Sequence, residues 1–174
     1  MLRKLTSFLC LVLLNTSLNA QLVINYSHEG NADTTKLNFA KTEFSKYLKV
    51  AIFNSRIHQS IFNIKLIKKG ANQNGQFSYT INSQGNLVNM ICIGEDEAAI
   101  GHSLYTILEN LGFQFDITGV VVPTVFKTGI FKGDSQSIIP FTRWRGIRQH
   151  VNFPMDISSY PLAETKAYLN NLVR

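Results

Sequence analysis

Hydrophobic positions along this chain switch between a period near 3.6 and a period of 2, and the switches mark its elements. Leu22 to Tyr26 has the pattern of a short strand, and after Thr34-Thr35 the residues Leu37, Ala40, Phe44, Tyr47 and Leu48 fall on one face of a helix. Ile61 to Ile67, rich in β-branched residues, predicts a second strand, closed by the Asn- and Gly-containing stretch from Gly70 to Gly75. Phe77 to Ile81 alternates cleanly, Asn82-Ser83-Gln84-Gly85 supplies a turn and Leu87 to Ile93 returns. That combination predicts a β-hairpin.

After Gly94, the acids Glu95, Asp96 and Glu97 open a helix whose apolar positions are Ala98, Ile100, Leu104, Ile107, Leu108 and Leu111, and Gly112 ends it. Acids in a first helical turn face the positive end of the macrodipole, worth roughly 0.3–1 kcal/mol each, so they need no catalytic explanation. Phe113-Gln114-Phe115 and Val120 to Pro123 read as a terminal strand or loop. Thr124 to Pro140, with Gly129, Gly133 and Ser135, reads as a linker-like extension. Phe141 to Phe153 then predicts a strand, and from Pro161 the positions Leu162, Thr165, Lys166, Tyr168, Leu169, Leu172 and Val173 predict a helix that no Gly or Pro closes before Arg174.

The element order is therefore β-α-β-β-β-α-β. It predicts an α+β domain, an α/β sandwich with a mixed sheet and two main helices on one face. The boundary falls near Ile139-Pro140, and residues 140–174 form one strand-helix unit that cannot bury its apolar face alone.

The N-terminus changes what the rest means. Arg3 and Lys4 precede an apolar run from Leu5 to Leu14, and a polar stretch follows that ends in Leu18-Asn19-Ala20. This is the layout of a secretory signal peptide over residues 1–20, because a run of about ten apolar residues is too short for a bilayer that needs about 20. The chain is thus expected to be exported, to the periplasm or the extracellular space, with no membrane span after cleavage. Removing Arg3 and Lys4 lowers the formal net charge from +6 to +4, with no basic run longer than Lys68-Lys69. Aromatic residues are not interleaved with the basic ones, so no nucleic-acid partner is expected. Cleavage also removes Cys10 and leaves Cys92 as the single thiol, in an apolar run where it reads as a small core residue.

The chemistry-bearing residues are sparse. His28, His58, His102 and His150 are scattered, with neither an H-E-x-x-H pattern nor a Cys/His cluster, so no metal is expected. Gly70 and Gly75 flank a turn and not a strand-to-helix junction, which excludes a phosphate loop, and no G-x-S-x-G elbow occurs. No cofactor is expected. Asn25-Tyr26-Ser27 is a glycosylation sequon if the host modifies exported proteins.

Two segments carry a family resemblance. Ala98 to Phe115, with Tyr105, Leu108, Glu109, Leu111, Gly112 and Phe115, followed by Val121-Val122-Pro123, resembles the segment closing the small N-terminal α/β domain of bacterial β-N-acetylhexosaminidases and α-glucuronidases. Phe141-Thr142-Arg143-Trp144-Arg145-Gly146 is similar to the opening of the catalytic (β/α)8 barrel in glycoside hydrolase family 20. The strand continues with His150 and Phe153 where that family usually has Asp and then Arg, which leaves the glucuronidase-like and other related families open.

The resemblance implies that residues 21–139 are a non-catalytic α/β domain with a linker-like end, and that residues 140–174 are the first strand and helix of a truncated catalytic barrel. It also implies a carbohydrate partner and places Arg145 where the family's opening arginine reaches the hydroxyls of a bound sugar. A guanidinium suits that role by presenting five donors in a fixed fork. Glycoside hydrolysis canonically needs two carboxyl groups about 5–9.5 Å apart. Asp96-Glu97 opens a helix in the wrong domain, and residues 140–174 offer only Asp156 and Glu164, so no catalytic residue is assigned to this chain. The alternative is a stand-alone secreted carbohydrate-binding or protein-interaction module that displays Trp144, Phe153, Tyr160 and Tyr168.

Overall fold

A computed structural model describes residues 22–55, 57, 59–70, 75–116, 119–141 and 161–173. The signal peptide expected over residues 1–20 and most of the strand expected from Phe141 to Phe153 lie outside the described residues.

Among the described residues, seven strands and three α-helices follow in the order β1 (Val23–Glu29), α1 (Thr34–Ser55), β2 (Ile61–Lys68), β3 (Phe77–Gln84), β4 (Leu87–Gly94), α2 (Glu97–Leu111), β5 (Gln114–Asp116), β6 (Gly119–Val121), a 3-10 turn (Thr128–Lys132), β7 (Gly133–Ile138) and α3 (Leu162–Val173). The main sheet is mixed, in the order β1-β2-β4-β3-β7. β1, β2 and β4 run parallel, and β3 pairs antiparallel with both β4 and β7. Parallel β1 and β2 need a long crossover, which α1 supplies, whereas β3 and β4 need only the tight turn at Gly85, where φ is +59°.

Alternation decides the layers. The register puts Tyr26, Ile64, Met90 and Ile81 in one row and His28, Leu66, Cys92 and Tyr79 in the next, all on the same face. All of these but His28 join Leu37, Phe44 and Leu48 of α1 and Ile100, Leu104 and Leu108 of α2 in one core, so both helices cover this face. The stripe expected on α1 is buried in full and extends to Ala51 and Ile52. Ala98 of α2 is exposed, not buried as expected, because the core-facing position of that first turn is taken by Ala99.

The exit of α2 follows the expected signal in detail. Gly112 sits at φ +109°, its N–H donates to the Glu109 carbonyl at 2.8 Å, and the Phe113 N–H donates to the Leu108 carbonyl at 3.1 Å. This pair of bonds is a Schellman motif, which satisfies two carbonyls the helix leaves free.

The stretch expected to be linker-like is built into the domain. Phe131 of the 3-10 turn is 1% exposed and meets Phe62 edge-on at 5.5 Å, and β7 completes the sheet against β3 with Phe77 opposite Ile138. Gly and Ser made this segment read as a linker, but its strand pairing is long-range and leaves no local pattern. The stretches at 113–115 and 120–123 become the antiparallel pair β5 and β6.

Candidate functional site

The acids that open α2 are held by structural bonds. Asp96 is the N-cap and accepts from the Ala99 N–H at 2.8 Å, and Glu95 accepts from the Gly75 N–H at 3.0 Å. Glu97 accepts from the Lys68 ammonium at 2.9 Å and from the Asp33 N–H at 2.8 Å, tying the ends of β2, α2 and the entry to α1 together. The bond from the Asp33 N–H, then the Lys68 ammonium, pull its pKa down from 4.5 to about 2. This carboxyl binds a proton more readily in the unfolded chain, so its contribution is complete above pH 4.5 and is lost as pH falls toward 2. Glu97→Gln is expected to lower stability at pH 7 by about 1–2 kcal/mol, allowing for solvent screening, and to flatten the acid limb. Urea unfolding at pH 7 and pH 3 checks this: an unchanged difference between the two pH values would remove Glu97 from the account.

A second polar group lies where β7 meets α2. The Tyr79 hydroxyl donates to Asp134 Oδ2 at 2.7 Å and accepts from Asn110 Nδ2 at 2.6 Å, and Gln136 Oε1 lies 3.3 Å from both. Burial, and then the Asp134 carboxylate, push the phenol up to about 12. Each member has a partner, so the group serves to clamp the edge strand. Cys92 is fully buried and its thiol is likewise pushed up to about 12 by burial, which keeps it from acting as a nucleophile.

The surface feature with unspent chemistry lies on α1 beside the edge strand β1. Tyr26, Lys41, Thr42, Ser45, Lys46 and Lys49 line an open cleft of about 440 Å3. The Tyr26 hydroxyl donates to the Lys41 carbonyl at 3.1 Å and shares a 2.8 Å bond with the Ser45 hydroxyl, which fixes the cleft floor. The Lys41 ammonium stands 5.6 Å from the centre of the Tyr26 ring. Burial drives the Tyr26 phenol up to about 12, so it remains a hydrogen-bond donor at any ordinary pH. Among the described residues no acid forms an ion pair with Lys41, Lys46 or Lys49; the ion pairs present engage Lys36, Lys65 and Lys68. The single acid of α1, Glu43, is turned the other way and accepts from the Tyr105 hydroxyl at 3.0 Å. Thr42, Lys46, Lys49 and Phe53 follow i, i+4, i+7 and i+11 along one stripe, and Phe53 is 69% exposed.

The sheet face away from the helices carries a row of asparagines. Asn25, Asn63, Asn89 and Asn82 stand side by side on β1, β2, β4 and β3. Asn25 Nδ2 donates to Asn63 Oδ1 at 3.0 Å, and Asn63 Nδ2 to Asn89 Oδ1 at 3.4 Å. The asparagine of the sequon is thus engaged in an amide ladder along the sheet.

Of the residues expected to carry function, Arg145 lies outside the described residues, as do Trp144, Phe153 and Tyr160 of the alternative binding module. Tyr168, expected to be displayed, is instead buried at 6% exposure on α3, while Leu162 and Leu169 of that helix are exposed. Among the described residues no group of three His, Cys, Asp or Glu side chains could hold a metal ion, and no helix is long and apolar enough to cross a membrane. The lysine cleft was not anticipated, although its signal is in the sequence as the i, i+4, i+8 spacing of Lys41, Ser45 and Lys49 off the apolar face. No family model matches the chain, and a search of curated proteins finds no match.

Proposed function

We infer that residues 21–139 form the accessory α/β domain of an exported glycoside hydrolase of the β-N-acetylhexosaminidase or α-glucuronidase kind, with residues 140–174 opening its (β/α)8 barrel. The observation that carries this reading is that the residues of the first resembling segment, from Tyr105 to Pro123, converge in space. Gly112 caps α2 so close to Pro123 that a Cβ on it would stand 3.2 Å from that ring, and Phe115 packs edge-on against Tyr105 at 5.3 Å. Phe113, one residue past the cap, meets Tyr47 of α1 at 5.3 Å and Phe126 at 5.4 Å. The spaced residues of the resemblance thus serve one physical task, locking the helix exit onto α1. A second support is the exposure of Leu162 and Leu169, at 69% and 50%, an apolar stripe of the kind a barrel helix turns toward its neighbours.

In this reading Arg145 would contact the terminal sugar, and the carboxyl pair would come from elsewhere in the barrel. The 174-residue chain is expected to release no 4-nitrophenol from an N-acetyl-β-glucosaminide or an α-glucuronide. Sequencing the reading frame past the Arg174 codon tests the assignment. Further strand-helix repeats with a carboxylate pair, in a longer protein that cleaves one of these substrates, would support it. A stop codon with no coding remnant, or cleavage by the 174 residues alone, would overturn it in favour of a separate binding module or a different site.

A further inference from the structure

We propose that the α1 cleft binds an anionic polysaccharide, with the lysines taking its carboxylate or sulfate groups and Phe53 taking the face of a sugar ring. The inference stands apart from the hydrolase assignment, since it uses only residues 26–53.

Charge is the first argument. Lys46 and Lys49 lie one turn apart, and like charges at that spacing cost a helix a few tenths of a kcal/mol instead of stabilising it. The Lys46 ammonium stands 5.0 Å from the centre of the Tyr47 ring, but among the described residues no acid answers the pair, and Glu43, the one acid of α1, is placed against Tyr105. An external anion relieves the repulsion. Shape is the second argument. The Tyr26 and Ser45 hydroxyls are held together at 2.8 Å on the cleft floor, with the Lys41 ammonium over the Tyr26 ring, so hydroxyl oxygens at fixed positions, able to accept from a sugar hydroxyl, sit beside cations. A ligand rich in hydroxyls and acids matches that mixture.

Phe53 decides between polyanions. A ring that is 69% exposed leaves most of its surface open to a ligand, and it lies on the same stripe as Lys46 and Lys49. From Thr42 to Phe53 the stripe runs about 16 Å at 1.5 Å per residue, long enough for an extended oligosaccharide to meet cations and ring together. A helix that lies on a membrane keeps a continuous apolar face for the lipid. Here that face, from Leu37 to Ile52, is spent in the protein core. Single-stranded nucleic acid is held by successive stacking rings, and this stripe offers one.

The test is a titration of the full chain with size-defined alginate and heparin hexasaccharides, followed by calorimetry and by backbone amide shifts. The neutral chitin hexasaccharide, oligo-dT and phosphatidylserine vesicles serve as comparisons. One or both anionic glycans should bind, with shifts centred on Tyr26, Thr42, Ser45 and Phe53. Binding of alginate identifies carboxylate as sufficient, and binding of heparin alone identifies sulfate. The triple variant Lys41→Gln, Lys46→Gln, Lys49→Gln should weaken binding by about tenfold or more, and Phe53→Ala by about threefold or more, while Lys36→Gln with Lys65→Gln changes it less than about twofold. All these side chains are on the surface, so an unchanged melting temperature verifies that the variants fold. The proposal is overturned if neither anionic glycan binds, if the control pair weakens binding as much as the triple variant, or if oligo-dT or vesicles bind as tightly with the same shifts.

Discussion

Gly94→Ala is expected to destabilise the protein by about 3 kcal/mol or more, at the upper end of what overpacking costs. Gly94 closes β4 immediately before the N-terminus of α2. A Cβ built there would stand 2.5 Å from the Ile100 amide nitrogen and 2.8 Å from the Ala99 carbonyl carbon, both of them backbone atoms. Neither can swing aside as a flexible side chain would. The Ile100 N–H is bonded to the Asp96 carbonyl at 3.1 Å, and the Ala99 N–H is held by the Asp96 cap. Relief would require the whole helix to shift against the sheet, uncovering Ile100 and Leu104, which are fully buried. Gly129→Ala is the matched control, since nothing lies within 4 Å of its would-be Cβ, and it should change stability by less than about 0.5 kcal/mol. Chemical denaturation of the two variants beside the parent chain is the measurement. A Gly94→Ala midpoint equal to that of the control would show that the strand-to-helix junction is looser than its geometry.

Phe131→Ala should cost about 3–5 kcal/mol, the range for emptying a buried phenylalanine site. The ring is 1% exposed and meets Phe62 at 74° between planes, so its loss opens a cavity where the 3-10 turn covers the sheet. This substitution also tests the extent of the domain. If residues 124–138 merely linked two units, a change at 131 would lie within about 0.5 kcal/mol of neutral. A loss of several kcal/mol, with the unfolding transition still single, would place the 3-10 turn and β7 inside the cooperative unit.

The two helices and the first four strands were legible because each carries a local periodic signal. Leu37 to Leu48 and Ile100 to Leu111 repeat at helical spacing, and Phe77 to Ile81 alternates. The strand ends were less so. β1 runs on through His28 and Glu29, past the expected end at Tyr26, because β2 is long enough to pair with them up to Ile67. β3 likewise extends through Ser83 and Gln84, residues that favour turns, because Val88 and Leu87 stand opposite them. In both cases pairing with a neighbour overrides weak propensity.

The candidate site was hidden for a related reason. Lysines dispersed along the sequence carry no signal as a run, and a count of charges dismisses them. Lys41, Lys46 and Lys49 become a group only when α1 is wound and Tyr26 of β1 is brought against Ser45.

By itself the sequence determined the layer composition, one helix stop and the identity of most core residues, because burial of an apolar stripe and capping by Gly112 depend on neighbours within a few positions. Only the tertiary structure decided that residues 133–138 are an edge strand, that Glu97 knits three segments, that Tyr168 is buried and that three lysines share one cleft. Those outcomes rest on pairings across tens of residues, from Tyr79 to Asp134 or Asp33 to Glu97. No local period records which distant partner a backbone edge or a charged side chain will meet.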